Sequence, residues 1–485
     1  MKFVKLLAPL AVVLAASAAW ADVKLPKIFG DHMVLQQKTQ APVWGWAEPN
    51  EEVTVSLGDE KASTKAGADG KWSVKIATPA AGGPHELKVK GKNEVTLKDV
   101  LIGEVWIASG QSNMEWTVAQ SANPAEEAKN AQHPQIRMIK VGRNPSDKPQ
   151  EDFKFVPNPP GAKDLTSGWA VCQPETASQF SACGYYFARK LQKELGVPVG
   201  IISTNWGGTI AEAWTSRETL AADQEWFGPI LERGAQFKAG NPNQPSVLYN
   251  SMIAPLVPFA IKGAIWYQGE SNVSRAEQYA KLFPAMIADW RKAWGQGDFP
   301  FLFVQLAPYA YNKMADSKQL PELWEAQTKT LTAAPNTGMC VTTDITTTNN
   351  IHPPNKQDVG LRLALWALAN TYDKKDVAYS GPLYESSAVE GNKVRVKFKH
   401  AQGLTAEGGK PLSHFQIAGE DQKFVDAKAE IEGETVVVSS PDVAKPVAVR
   451  FGWSDTAEPN LFNGAHLPAS PFRTDNFPMV TAGKR

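Results

Sequence analysis

Four short blocks of the chain hold residue types suited to moving an acyl group. Ser112 stands in Gly110-Gln111-Ser112-Asn113-Met114. A serine beside glycine, at a strand tip and entering a helix, exposes its hydroxyl as a nucleophile and lets backbone N–H groups converge on a nascent oxyanion. The paired glycines of Asn205-Trp206-Gly207-Gly208-Thr209 let the backbone approach a ligand and aim more N–H groups at it. Gln268-Gly269-Glu270-Ser271-Asn272 crowds four polar side chains onto one predicted strand end. His352, in Ile351-His352-Pro353-Pro354, is a loop imidazole ahead of a helix start, placed to act as a base. Each block also has a bland explanation. Gly-x-Ser is equally a helix N-cap, a glycine pair is a tight turn, and a lone histidine is more often structural. Four such blocks at the strand ends of one sheet make coincidence less credible than any one does.

Those residues meet only if strand ends share a rim, and the hydropathy pattern supplies the strands. Residues 101–109, 197–204, 264–268, 300–305 and 338–343 are short apolar runs without clean alternation, as in strands buried on both faces. Helical stripes lie between them. Over 178–195, Phe180, Cys183, Phe187, Leu191 and Leu195 share one face, with Gly196 as a stop. Over 357–371, Val359, Leu363, Trp366 and Ala367 do the same. Alternating β and α units predict a parallel sheet covered on both sides. In such sheets ligands bind beyond the carboxyl ends of the strands, and each block follows one of them.

The flanks read differently. Residues 24–99 alternate with period two, as at Val53, Val55 and Leu57 or Trp72, Val74 and Ile76, with turn residues between the runs. That predicts a small β-sandwich. Alternation returns after about 376, as at Val394, Val396 and Phe398, and predicts a second all-β module. The first 21 residues read as an export signal: Lys2 and Lys5, an apolar run over 6–16, and Ala19-Trp20-Ala21 as cleavage pattern. The expected division is therefore a signal peptide over 1–21, a β-sandwich over 22–99, a catalytic domain over 100–375 and a β domain over 376–485. The expected location is the periplasm or the exterior.

Together, Gly110-Gln111-Ser112-Asn113-Met114, Trp206-Gly207-Gly208-Thr209 with Glu212-Ala213-Trp214, Trp266 through Asn272, and Ile351-His352-Pro353 with Lys356, Val359-Gly360 and Arg362-Leu363-Ala364 resemble the sialate O-acetylesterase branch of the SGNH hydrolases. The resemblance extends over roughly residues 24–475. It implies an α/β fold: a three-layer α/β/α SGNH-hydrolase domain with a flavodoxin-like parallel sheet, flanked by the two β modules. It also implies a serine esterase that removes O-acetyl groups from carbohydrate through an acetyl-Ser112 intermediate, with His352 as base. The implied oxyanion donors are the N–H groups of Ser112 and of Gly207 or Gly208, with a side-chain amide from Gln268 or Asn272. O-acetylated sialic acid is the first substrate expected. Acetylxylan or another acetylated polysaccharide is the alternative, and a catalytically weak carbohydrate-binding protein a further one.

One departure bears on mechanism. SGNH enzymes commonly carry an Asp two or three residues before the histidine, and this chain has Asn349 and Asn350 there. Loss of the carboxylate from a serine triad costs about four orders of magnitude in turnover. Glu270 and Asp344, both at strand ends, are the candidate replacements, with Glu270 preferred and a Ser–His dyad the other possibility. Gln111, Trp206 and Tyr267 are the candidate substrate contacts, with Trp214, Trp266, Gln305 and Gln327 as core or supporting residues. Arg362 is expected in a structural ion pair.

Composition excludes some partners. Lys+Arg and Asp+Glu both number 50, so the net charge gives no reason to expect nucleic acid. The seven histidines are scattered, no CxxC is present, and no metal or other cofactor is called for. Cys172, Cys183 and Cys340 allow one disulfide, Cys172–Cys183, or three buried thiols. After signal removal no stretch is long enough to span a membrane, and oligomeric state is left open. The partner expected is a small molecule or glycan bearing O-acetyl esters.

Overall fold

The computed structural model describes residues 22–155, 167–311, 318–345 and 348–485. The expected signal peptide lies outside the described residues.

One long strand organises the molecule. β1 (Glu94–Gly110) is partly exposed at its start and continuously buried from Val100 onward. Its first part pairs antiparallel with the strand Gly82–Lys90, and Val34–Gln36 joins it in parallel at Leu101. Its last part is the centre of the α/β sheet. The other strands are β2 (His133–Lys140), β3 (Ala170–Cys172), β4 (Val199–Asn205), β5 (Gly263–Tyr267), β6 (Phe301–Val304) and β7 (Thr337–Cys340). They lie in the order β7-β6-β5-β1-β4-β2-β3. Every pairing is parallel except that of the edge strand β3 with β2.

Register and side-chain alternation show that both faces are covered. Trp106 and Ala108 share one face of β1, and helix Ala182–Leu195 packs there, with Trp106 against Phe187 and Gly184 against Ala108. Trp266 is paired with Ser109 and so points to the other face. It meets Phe283 and Trp290 of helix Ala276–Trp294. Helix Lys356–Asn370 packs on Ala182–Leu195, and helix Gln319–Ala333 on Ala276–Trp294.

The boundary expected between residues 99 and 100 falls inside β1. The change in hydropathy there marks a strand passing from a sheet with one solvated face into the covered sheet. Val53, Val55 and Trp72 accordingly belong to the same continuous core as Trp106 and Ile107. The C-terminal strands have their own core around Val394, Val396, Phe415, Val436 and Phe451. Among the described residues they form two four-stranded sheets, one holding Leu383–Glu390, Lys393–Lys399, Thr435–Ser439 and Lys428–Glu432, and a two-stranded one of Thr405–Ala406 with Leu461–Phe462. The last residues return to the α/β body: Glu322 accepts the N–H groups of Val480 and Thr481 at 2.6 and 2.9 Å. The Arg485 guanidinium lies 3.6 Å from the Trp226 ring centroid.

Local chemistry moved two helix starts. The helix expected from 178 begins at Ala182, because Ser181 caps it by accepting the Gly184 N–H at 3.1 Å, and it ends at Gly196 with φ +66°. The helix expected from 357 begins at Lys356, capped by Asn355. Cys172, Cys183 and Cys340 are free, buried thiols. Among the described residues no helix is long and apolar enough to cross a membrane.

Candidate active site

Ser112 opens a single helical turn, Ser112–Glu115, directly after β1. The bend is made by Gly110, whose φ is +135° and where a Cβ would sit 2.2 Å from the Tyr267 carbonyl oxygen. No residue but glycine fits that contact. His352 lies in the loop between β7 and helix Lys356–Asn370. Parallel strands bring these ends to one rim, and Ser112 Oγ and His352 Nε2 stand 2.8 Å apart across 240 positions of sequence. The imidazole stacks on the Trp116 indole, with centroids 4.5 Å apart and planes 20° from parallel. Burial and the nearby Lys356 ammonium hold the His352 pKa below its ordinary value, against the pull of Glu115. A neutral imidazole at the serine hydroxyl is the state a general base needs.

Neither expected acid touches the ring. Asp344 is held by Arg362 through two hydrogen bonds of 2.7 and 2.6 Å, and Arg362 also donates to the Val341 carbonyl at 2.8 Å. Glu270 accepts from Asn113 Nδ2 at 2.5 Å, and its other carboxylate oxygen is buried with no well-formed hydrogen bond among the described residues. Burial pushes the Glu270 pKa up. Asn350 accepts the backbone N–H of His352 at 2.9 Å, so it shapes the loop and leaves the imidazole alone. Among the described residues no group hydrogen-bonds His352 Nδ1.

The expected oxyanion donors divide. The Ser112 and Gly208 N–H groups donate to no other described group. The Gly207 N–H donates to Glu115 Oε2 at 2.8 Å, and Glu115 is in turn paired with Arg143. Gln268 and Asn272 direct their amides inward. Gln268 Nε2 donates to the Thr209 carbonyl at 3.1 Å and to Asn272 Oδ1 at 2.7 Å. Asn272 Nδ2 donates to Glu212 at 2.9 Å, and its Oδ1 also accepts the Ala211 N–H. With their amide bonds made to Thr209, to each other and to Glu212, these two brace the glycine loop.

The expected substrate contacts divide as well. Trp206 is half-buried, with the Arg143 guanidinium 5.6 Å from its ring centroid. Tyr267 is buried, with the Lys356 ammonium 5.3 Å from its ring centroid, and cannot meet a ligand. Gln111 is also buried, its Oε1 receiving the Gly269 and Ser271 N–H groups at 3.4 Å. Trp214, Trp266, Gln305 and Gln327 are core residues. Four residues at this rim escaped selection from sequence: Asn113, Glu115, Trp116 and Lys356. Asn113 and Lys356 stand inside the motifs that carry the family resemblance. Their signal was a polar side chain beside the nucleophile and one just after the base, without a partner to name.

The model of the sialic acid-specific acetylesterase family of carbohydrate esterases matches residues 102–368. The chain belongs to this family. Among its relatives, the sialate O-acetylesterase of Pongo abelii is 32% identical, covering 93% of this chain and 94% of its own. That of Homo sapiens is 33% identical over 80% of each. The crystal structure of a carbohydrate acetylesterase from Xanthomonas citri is 40% identical, with a TM-score of 0.85 over 94% of this chain and 100% of that one. As a family member the chain is a carbohydrate acetylesterase.

Proposed function

We propose that this acetylesterase works through Ser112 and His352, with O-acetylated sialic acid as its first substrate. The observation that carries this is the 2.8 Å contact between Ser112 Oγ and the imidazole at the carboxyl rim of the sheet. Ser112 attacks the acetyl carbonyl while His352 Nε2 takes its proton. The proton returns to the sugar oxygen as the alcohol leaves, and water repeats the sequence on the acetyl-enzyme. The tetrahedral oxyanion lies against the Ser112 and Gly208 N–H groups, each such donor being worth about 3 kcal/mol. The Gly207 N–H joins them when Glu115 releases it. Glu270 and Asp344 act away from the ring, and the imidazole works as half of a dyad. The leader-like first 21 residues suit an enzyme exported to meet its glycan.

Sialic acid comes first because the family and the two primate relatives are named for it. A neutral acetylated polysaccharide is the second reading. It is favoured by the Xanthomonas citri relative, described as a carbohydrate acetylesterase, and by Arg143, whose charge is already paired with Glu115. Ser112→Ala should abolish acetate release from p-nitrophenyl acetate with the fold retained by circular dichroism. Turnover at the parent rate would remove Ser112 from its role. Acetate release from O-acetylated sialic acid and from acetylated xylan, measured side by side, decides the substrate.

A further inference from the structure

Between the nucleophile and the base runs a buried polar chain that takes no part in moving the acetyl group. Asn113 Oδ1 accepts from Lys356 Nζ at 2.6 Å. Asn113 Nδ2 donates to Glu270 Oε1 at 2.5 Å and to the Ile351 carbonyl at 2.9 Å. The chemistry fixes the direction of that amide. An ammonium only donates, whereas a carboxylate and a carbonyl only accept, so a flipped Asn113 would lose all three bonds. Ile351 and Lys356 bracket His352 in sequence. One side chain therefore grips both ends of the segment that carries the base, while its own backbone follows directly from Ser112.

A purely structural role explains this chain poorly. Asn113 is 2% and Lys356 0% exposed, and one oxygen of Glu270 is buried with no well-formed hydrogen bond among the described residues. Two buried charges separated by an amide cost desolvation that apolar residues of similar volume would avoid.

We propose that Lys356 and Glu270, acting through Asn113, are the positioning residues of His352, fixing the segment that carries the imidazole where other serine triads use a carboxylate on Nδ1. This rests on the Ser112–His352 mechanism. The same chain also sets the charge near the ring. Burial pushes Lys356 down to about 8, so at neutral pH it keeps most of its charge, and that charge holds His352 down. The groups facing His352 are the Ser112 hydroxyl, the Trp116 indole, Lys356, and Glu115 with its partner Arg143. Those facing Lys356 are Asn113, Glu270, the Cys183 thiol and the Tyr267 ring.

Two variants of the full chain test this, with kinetics on p-nitrophenyl acetate across pH. Asn113→Asp replaces the donating amide by an acceptor against Glu270 and the Ile351 carbonyl. It should lower kcat about a hundredfold with KM nearly unchanged, the loss expected when reacting groups drift by about 1 Å. Lys356→Met fills the same space without charge. It should move the acid limb of kcat/KM upward by about half a pH unit or more, and the His352 titration followed by NMR should move with it. Parent kcat in the first variant with a parent acid limb in the second overturns the proposal, as does a change confined to KM or to the melting temperature. If Asn113→Asp does not fold, the acid limb of Lys356→Met decides alone. Inactive Ser112→Ala alongside parent-like behaviour of both variants would sink this inference and leave the mechanism standing. Active Ser112→Ala would remove the mechanism itself.

Discussion

At the rim, two charges act on His352 with opposite signs. Lys356 and burial favour the neutral ring, and Glu115 favours the protonated one. Since the neutral ring is the base, activity should be lost only as pH falls through a value below the ordinary 6.5 of a free imidazole. Glu115→Gln removes the group that raises this value, so its acid limb should lie still lower, the opposite direction from Lys356→Met. A pH–rate profile for the two variants checks both signs. That Ser112 and His352 would meet was legible in sequence because four motif blocks follow the strands of one sheet and together resemble a known family, although each block alone was weak. Asn113, Lys356, Glu115 and Trp116 were not, because their roles depend on where each side chain points. Glu270 and Asp344 were sound guesses by position. Chain order does not reveal that Arg362 takes Asp344 and Asn113 takes Glu270.

Elements explain why the guesses reached the right rim with the wrong partners. A strand's carboxyl end fixes the neighbourhood to a few residues, and loop geometry then decides the contact. Asp344 follows β7, yet Arg362, on the helix after the histidine loop, holds it. Asp344→Asn leaves that guanidinium without its charge partner in a largely buried place. It should destabilise the fold by about 2–4 kcal/mol while kcat of the folded protein stays within about threefold of the parent. Denaturant titration and initial rates on the same preparation separate the two. Buried central strands stood out as continuous apolar runs. β2 did not, because Gln135, Arg137 and Lys140 break its pattern. Arg137 is nonetheless buried, its guanidinium engaged by the Asp99 carboxylate and backbone carbonyls. The short edge strand β3 offers three residues and no periodicity to detect. The helix expected from 178 failed only at its start, where the apolar stripe continues through Phe180 although the backbone has already left the helix at Ser181.

Across the whole molecule the two flanking β modules, similar in hydropathy, are joined to the α/β body in unlike ways. The C-terminal one has a separate core and is tied back by the tail. Deleting residues 478–485 leaves the carboxylate of Glu322, 3% exposed, without the Val480 and Thr481 amides. That should cost about 2–3 kcal/mol, read as an earlier thermal transition with kcat on p-nitrophenyl acetate preserved. The N-terminal module, by contrast, contributes the opening stretch of β1, the strand that ends at the nucleophile. Anyone recombining such enzymes to change what they grip must rebuild, with any distal replacement, the seams where Asp455 receives the Leu320 amide, Ser470 receives Gln305 and Arg473 grips Glu325. The proximal one behaves as foundation: trimming it withdraws the girder on which Ser112 is mounted.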